Sequence, residues 1–213
     1  MGDSDAIYRL PTNKRYIALT FDIGWGNQVS GTVLRVLQRK NVKNATFFLS
    51  ATWAAQYPRS ARRIRSQGYE IGSHGYLHHD YTKHSENWIR SQVKKAERVI
   101  KNVTGVRTRL IRTPYGSING KVVKLLGTLN YRTIHWSVDS LDWTNPGVDA
   151  IVKRVLSQTR SGDIILMHAS DSATQTAKAL PIMIDRLRAK GFRFVTVSEL
   201  INGRTGSGSS RVK

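Results

Sequence analysis

The residue types that could do chemistry in this chain fall in five short polar clusters, each just after a stretch that reads as a β-strand. They are Thr20-Phe21-Asp22-Ile23-Gly24, Ser73-His74-Gly75-Tyr76-Leu77-His78, Arg112-Thr113-Pro114-Tyr115-Gly116, Asp139-Ser140-Leu141-Asp142-Trp143 and Leu166-Met167-His168. His74 and His78 are four apart; on one helical turn they would point the same way and grip one divalent cation. Asp22 closes an apolar run and is placed to take a proton from an attacking water. His168 follows four apolar residues and could protonate a leaving group if a carboxylate holds its ring, with Asp142 the first choice for that carboxylate and Asp139 the second. Arg112 could pair with Asp22 and lower its pKa. Pro114 and Gly116 shape a turn whose Tyr115 amide could face a developing oxyanion. Trp143, and equally Trp25, offers a flat apolar wall for a sugar ring or else packs in the core.

Each signal alone has an ordinary reading. His-x-x-x-His is common, a strand-end Asp often caps backbone N–H groups, and a lone His on an apolar strand is usually a satisfied core residue. Together they suit water attack on an amide or ester, with a metal polarising the carbonyl and lowering the pKa of its water toward about 7. No Gly-x-Ser-x-Gly elbow, P-loop or Gly-x-Gly-x-x-Gly fingerprint is present.

The elements that must position these groups alternate. Apolar runs of strand length lie at Tyr16–Phe21, Asn44–Leu49, Tyr69–Gly72, Arg109–Ile111, Tyr131–Val138, Asp163–Met167 and Phe192–Val197. Helical spacing recurs over Ser30–Lys40, Pro58–Gln67, Ser85–Val103, Lys121–Leu129, Val148–Gln158 and Thr176–Lys190, and Ser198 reads as the cap of a terminal turn. About seven strand–helix repeats imply a parallel sheet. Active groups spread over five strand ends favour an α/β fold closed into a (β/α) barrel over an open sheet with one switch point. Residues 1–14 read as an irregular lead-in, 15–201 as one domain and 202–213 as a flexible Gly/Ser-rich tail.

The chain has no Cys, which excludes disulfides and thiolate chemistry, and a net charge of +20. That field either solubilises the surface or attracts a polyanion. No nucleic-acid-binding motif accompanies it, no apolar run is long enough to span a bilayer, and no signal peptide is readable.

The five clusters, in this order, resemble those of the polysaccharide deacetylases of carbohydrate esterase family 4, the NodB homology domain, over about residues 15–201. Phe21–Gly26, Asp142–Gly147 and His168–Ser172 are most similar to the spore-associated, PdaB-type subgroup of Gram-positive bacteria. The resemblance implies a distorted, partly open (β/α) barrel of NodB type, with about seven strands, that removes N-acetyl groups from amino sugars of a polysaccharide, with peptidoglycan favoured by the charge. It also implies an extracytoplasmic, wall- or spore-associated location, with the export segment absent from the sequence given. It assigns Asp22 as base, His168 as acid, Arg112 and Asp142 as their partners, and His74 and His78 as ligands of a divalent metal, zinc first and cobalt or another ion second. Tyr115 would supply the oxyanion amide, and Trp143 and Leu166 would line the groove and acetyl pocket. His79 stands where the family has Pro and is not expected to bind metal. One departure is serious: the family's first cluster has two consecutive acids, the second a metal ligand, and here that position is Ile23. Either Asp22 swings onto the metal, or water completes a weaker two-imidazole site, or the chain is a metal-poor, catalytically impaired relative that still holds glycan.

Overall fold

The structure, a computed structural model, describes residues 6–203. The first five residues of the expected lead-in, and the expected tail from residue 204 on, lie outside that range. Among the described residues eight strands alternate with eight helices. They are β1 (Tyr16–Ile23), α1 (Gln28–Arg39), β2 (Thr46–Leu49), α2 (Ala51–Gln56), α3 (Pro58–Ser66), β3 (Glu70–Ser73), α4 (Glu86–Thr104), β4 (Leu110–Ile111), α5 (Gly120–Thr128), β5 (Arg132–Thr133), β6 (Val138–Asp139), α6 (Val148–Gln158), β7 (Ile164–His168), α7 (Thr176–Ala189), β8 (Arg193–Phe194) and α8 (Val197–Asn202). Seven strands run β5-β4-β3-β2-β1-β7-β6, each neighbouring pair parallel, and the sheet curls into a half-barrel with helices outside. β8 pairs with Tyr16 and Ile17, the start of β1. No helix among the described residues is long and apolar enough to cross a membrane.

Alternation along β1 sets up the site. Ile17, Leu19, Phe21 and Ile23 pack in the larger apolar cluster with residues of α1, α6 and α7, while Ala18 packs with Phe48, Ile134 and Ile164 in a second cluster. Thr20 and Asp22 share the Ala18 side, so the barrel interior turns from apolar to polar toward the carboxyl end of β1. The β1–α1 loop is held from across the sheet: Asp171, after β7, accepts from the Gln28 and Val29 amides at 2.9 Å each, serving two of the unsatisfied donors at the start of α1. The Gly24 amide donates to Ser170 Oγ at 2.8 Å.

Three local expectations differ from the structure. The single strand expected over Tyr131–Val138 is broken, and its halves, β5 and β6, lie on opposite edges of the sheet. The intervening Ile134 and His135 carbonyls turn to Arg112 rather than to a ladder. The terminal helix is capped by Thr196, not Ser198, through a reciprocal capping box with Glu199. α2 has no counterpart in the sequence reading, because six residues are too few for helical periodicity to declare itself. The lead-in lies along the open seam between β5 and β7: Ile7 N–H donates to Thr133 O, His135 N–H to Ile7 O, and Leu10 N–H to Gly162 O.

That seam depends on Gly162. At φ +85° it adopts a left-handed conformation, and a Cβ there would lie 1.9 Å from the Leu10 carbonyl oxygen. Gly68 has a similar φ of +83° with nothing within 4 Å of such a Cβ. Gly68→Ala should therefore cost only the left-handed strain, about 1–2 kcal/mol. Gly162→Ala should cost about 1–3 kcal/mol more, because backbone must move. Urea unfolding of the two variants checks the difference.

Candidate active site

A cleft of about 470 Å³ opens at the carboxyl ends of the strands and is lined by Asp22, His74, His78, Tyr115, Trp143, Leu166 and His168. Arg112 and Asp142 lie behind it, fully buried. The structure thus brings together all nine residues singled out from the sequence, seven on the wall and two supporting it. Asp22 and His168 are register partners on adjacent strands β1 and β7.

Arg112 organises one side. Its Nη1 donates to Asp22 Oδ1 at 2.8 Å and to Thr20 Oγ1 at 2.9 Å; its Nη2 and Nε reach the carbonyls of His135 at 2.9 Å and Ile134 at 3.3 Å. The guanidinium lies 4.3 Å over the Phe48 ring, a cation–π contact. Burial alone would raise the Asp22 pKa, but Arg112 and the neighbouring imidazoles of His74 and His168 outweigh it and hold the carboxyl below its ordinary value. Asp22 is therefore ionised at neutral pH.

The imidazole pair sits differently from the helical turn its spacing suggested. His74 follows β3 directly and His78 lies in the following loop, yet their ring centroids are 5.2 Å apart. The Arg112 carbonyl is 2.9 Å from His74 Nδ1. A carbonyl can only accept, so the proton is on Nδ1 and the Nε2 lone pair faces Asp22 Oδ2, 4.0 Å away. Burial lowers the pKa of both rings, that of His78 to about 4 with His74 adding to the effect. His78 is flanked by Tyr115 at 4.4 Å and Trp25 at 5.5 Å. His79 turns away and stacks with His84 and Trp88.

The other side is built on Asp142. Its Oδ1 is 2.8 Å from His168 Nδ1, and its Oδ2 accepts from the His168 amide at 2.8 Å and the Thr176 hydroxyl at 2.6 Å. Burial works against the imidazolium, but the Asp142 hydrogen bond and charge, with Asp22 and Asp139 behind them, raise the His168 pKa above its usual value. Asp139, the second candidate, accepts from the Leu141 amide instead and also lines the cleft. Tyr115 is held at φ +59° between Pro114 and Gly116, and its amide meets no acceptor among the described residues. Trp25 and Trp143 are both about half exposed at the mouth, so neither is a core residue.

Trp136, Ser170 and Ser172 also line the cleft, and Thr20 and Thr176 support Arg112 and Asp142. Sequence reasoning missed them: Trp136 sat inside a supposed strand, and single hydroxyl residues carry no spacing signal.

As a metal centre the donor set falls short. Catalytic zinc takes three protein ligands and keeps a fourth position open. His74 Nε2 and His78 supply imidazoles, but Ile23 is fully buried in the apolar cluster, and Asp22 is already paired with Arg112. Among the described residues no group of three His, Cys, Asp or Glu is arranged to hold an ion. The residues present do not fit a three-ligand zinc site.

The family model for polysaccharide deacetylases matches residues 9–134. The chain belongs to that family. A Bacillus cereus peptidoglycan-N-acetylglucosamine deacetylase is 36% identical over 202 residues, covering 91% of this chain and 92% of that protein. The Bacillus subtilis protein YlxY is 33% identical over 198 residues, covering 93% of this chain but only 61% of YlxY. Among solved structures, BA3943 of Bacillus anthracis, described as a pseudoenzyme of carbohydrate esterase family 4, superposes with a TM-score of 0.87 at 34% identity over 93% of this chain and 69% of its own. A BA3943 mutant described as having restored enzymatic activity superposes equally well. The half-barrel of this polysaccharide deacetylase domain is thus the fold that its sequence clusters implied.

Two measurements probe the site without any substrate. Arg112→Ala should destabilise the domain by about 3–5 kcal/mol, because it leaves the Asp22 carboxylate buried without its cation. In Asp142→Asn the His168 pKa, followed by NMR, should fall from its raised value, since the main group opposing burial is gone and only the Asp22 and Asp139 charges remain. The sign for stability follows: the folded His168 pKa is raised, so its contribution is fully present below about pH 6.5 and is lost as pH rises through the raised value.

Proposed function

We propose that this chain acts outside the cytoplasm on peptidoglycan and removes N-acetyl groups from its amino sugars, with a metal site reduced to two imidazoles. The observation that carries this reading is the register pairing of Asp22 and His168, a carboxylate held by arginine beside an imidazole held by aspartate, in a cleft walled by tryptophans. The Bacillus cereus relative, a peptidoglycan-N-acetylglucosamine deacetylase, supplies the substrate class. Membership of the spore-associated subgroup is part of this proposal and rests on the Phe21–Gly26, Asp142–Gly147 and His168–Ser172 stretches.

In this reading Trp143 stacks on a sugar ring and Leu166 contacts the acetyl methyl. Ionised Asp22 takes a proton from water as the new C–O bond forms, and the Tyr115 amide faces the carbonyl oxygen as it gains charge. Protonated His168 delivers a proton to the amide nitrogen as the C–N bond breaks, releasing acetate and a free amine. The Arg112 pair keeps Asp22 ionised but also makes it a weak base, so an unactivated water reacts slowly. A bound divalent ion would supply that activation, and this donor set would hold one weakly. Slow turnover follows.

Ile23 and the likeness to BA3943 favour a second reading, a catalytically impaired relative that holds wall glycan without hydrolysing it. Acetate release from peptidoglycan with added Zn²⁺ or Co²⁺ separates the two. The deacetylase reading expects measurable release that drops about 10²–10⁴-fold in His168→Ala. It expects a rise of roughly 10-fold or more in Ile23→Asp, by analogy with the cost of a lost metal-site partner. The variant's thermal melt must be recorded alongside, since a carboxylate enters an apolar cluster. No release above the His168→Ala level from the parent, with release from Ile23→Asp, establishes the second reading.

A further inference from the structure

The net charge is not spread evenly. Residues 23–69 contain eight Lys and Arg and no Asp or Glu. This stretch forms β2 and the first three helices, and it places Arg35 and Arg39 on α1 and Arg59, Arg62, Arg63 and Arg65 on α3, all exposed. Among the described residues none of the six is paired with an acid. α3 packs against both α1 and α4, and α4 adds exposed Lys94, Lys95, Arg98 and Lys101. Between α1 and α3 runs a groove lined by Gln28, Thr32, Arg35, Ser60 and Arg63. It begins at Asn27, two residues after Trp25, which lines the cleft itself. The acid beside this end, Asp171, is occupied by the amides of Gln28 and Val29.

We propose that the α1–α3–α4 face is a docking surface for an anionic wall polymer, one that carries phosphodiester groups and is continuous with the glycan in the cleft. The choice of occupant rests on reading the cleft as a saccharide site. Unpaired cations on neighbouring helices sum to a field that concentrates a polyanion and releases its counterions on binding. α1 and α3 contain no aromatic side chain on which nucleic-acid bases would stack. The positive face meets the cleft at Trp25, so one polymer can occupy both.

The test is co-sedimentation of the full chain with isolated Gram-positive cell walls, intact or acid-stripped of their phosphodiester polymer. Three variants accompany the parent: Arg59→Glu/Arg62→Glu/Arg63→Glu, Arg35→Glu/Arg39→Glu, and Trp143→Ala. We expect stripping to lower the bound fraction about tenfold, either charge reversal to do the same on intact walls, and about 50 to 200 mM salt to weaken binding on the order of tenfold or more. Circular dichroism confirms folding of the variants, and the stripped-wall and salt arms need no variant. Equal binding to intact and stripped walls overturns the proposal, as does tighter capture by a duplex DNA competitor at the same salt. If Trp143→Ala binds soluble N-acetylated oligosaccharide as the parent does, the saccharide reading of the cleft fails separately. Charge-dependent wall binding would then stand without it.

Discussion

Everything in the cleft depends on one buried cation. Arg112 has no access to solvent, and a guanidinium in that position is tolerable only when paired and hydrogen-bonded. It finds a carboxylate, a hydroxyl and two backbone carbonyls, and its own carbonyl takes the His74 ring proton. One residue therefore sets the charge of Asp22, the tautomer of His74 and the path of the chain between β5 and β6. The cost is a weaker base at Asp22, since what holds a carboxylate ionised also makes it reluctant to accept a proton.

The two halves of the site are alike in construction. Arg112 is buried behind Asp22 as Asp142 is buried behind His168, each an opposite charge holding a titratable group in the state the proposed hydrolysis requires. The two halves meet through β1 and β7, and Asp171 and Ser170 pin the loops that follow them. With position 23 apolar, the proposed acid–base pair and the proposed metal site have come apart in this chain: the pairings that would support the former are present, and the latter lacks a donor.

Much of this was legible in the sequence, for physical reasons that differ by element. α4 announced itself through nineteen residues of regular apolar spacing, and in the structure Ser85 caps it and Gly105, in the left-handed conformation, ends it. The polar clusters were visible because strand ends are where an apolar run gives way. The seam was not legible. Tyr131–Val138 has strand composition throughout, and only the long-range demands of Arg112 and the crossing from one sheet edge to the other break it. The His74–His78 approach was found for the wrong reason, since a loop rather than a helix closes the spacing. The basic face was diluted in a whole-chain charge and emerges only when its helices are seen side by side.

The segment along the seam has a reach beyond closing the barrel. The Tyr8 ring lies tilted against that of His135 at 4.5 Å between centroids, and the His135 carbonyl is one of the groups that Arg112 grips. The described amino-terminal segment is thus linked through two rings, one peptide unit and the Arg112 guanidinium to the carboxylate at the floor of the cleft.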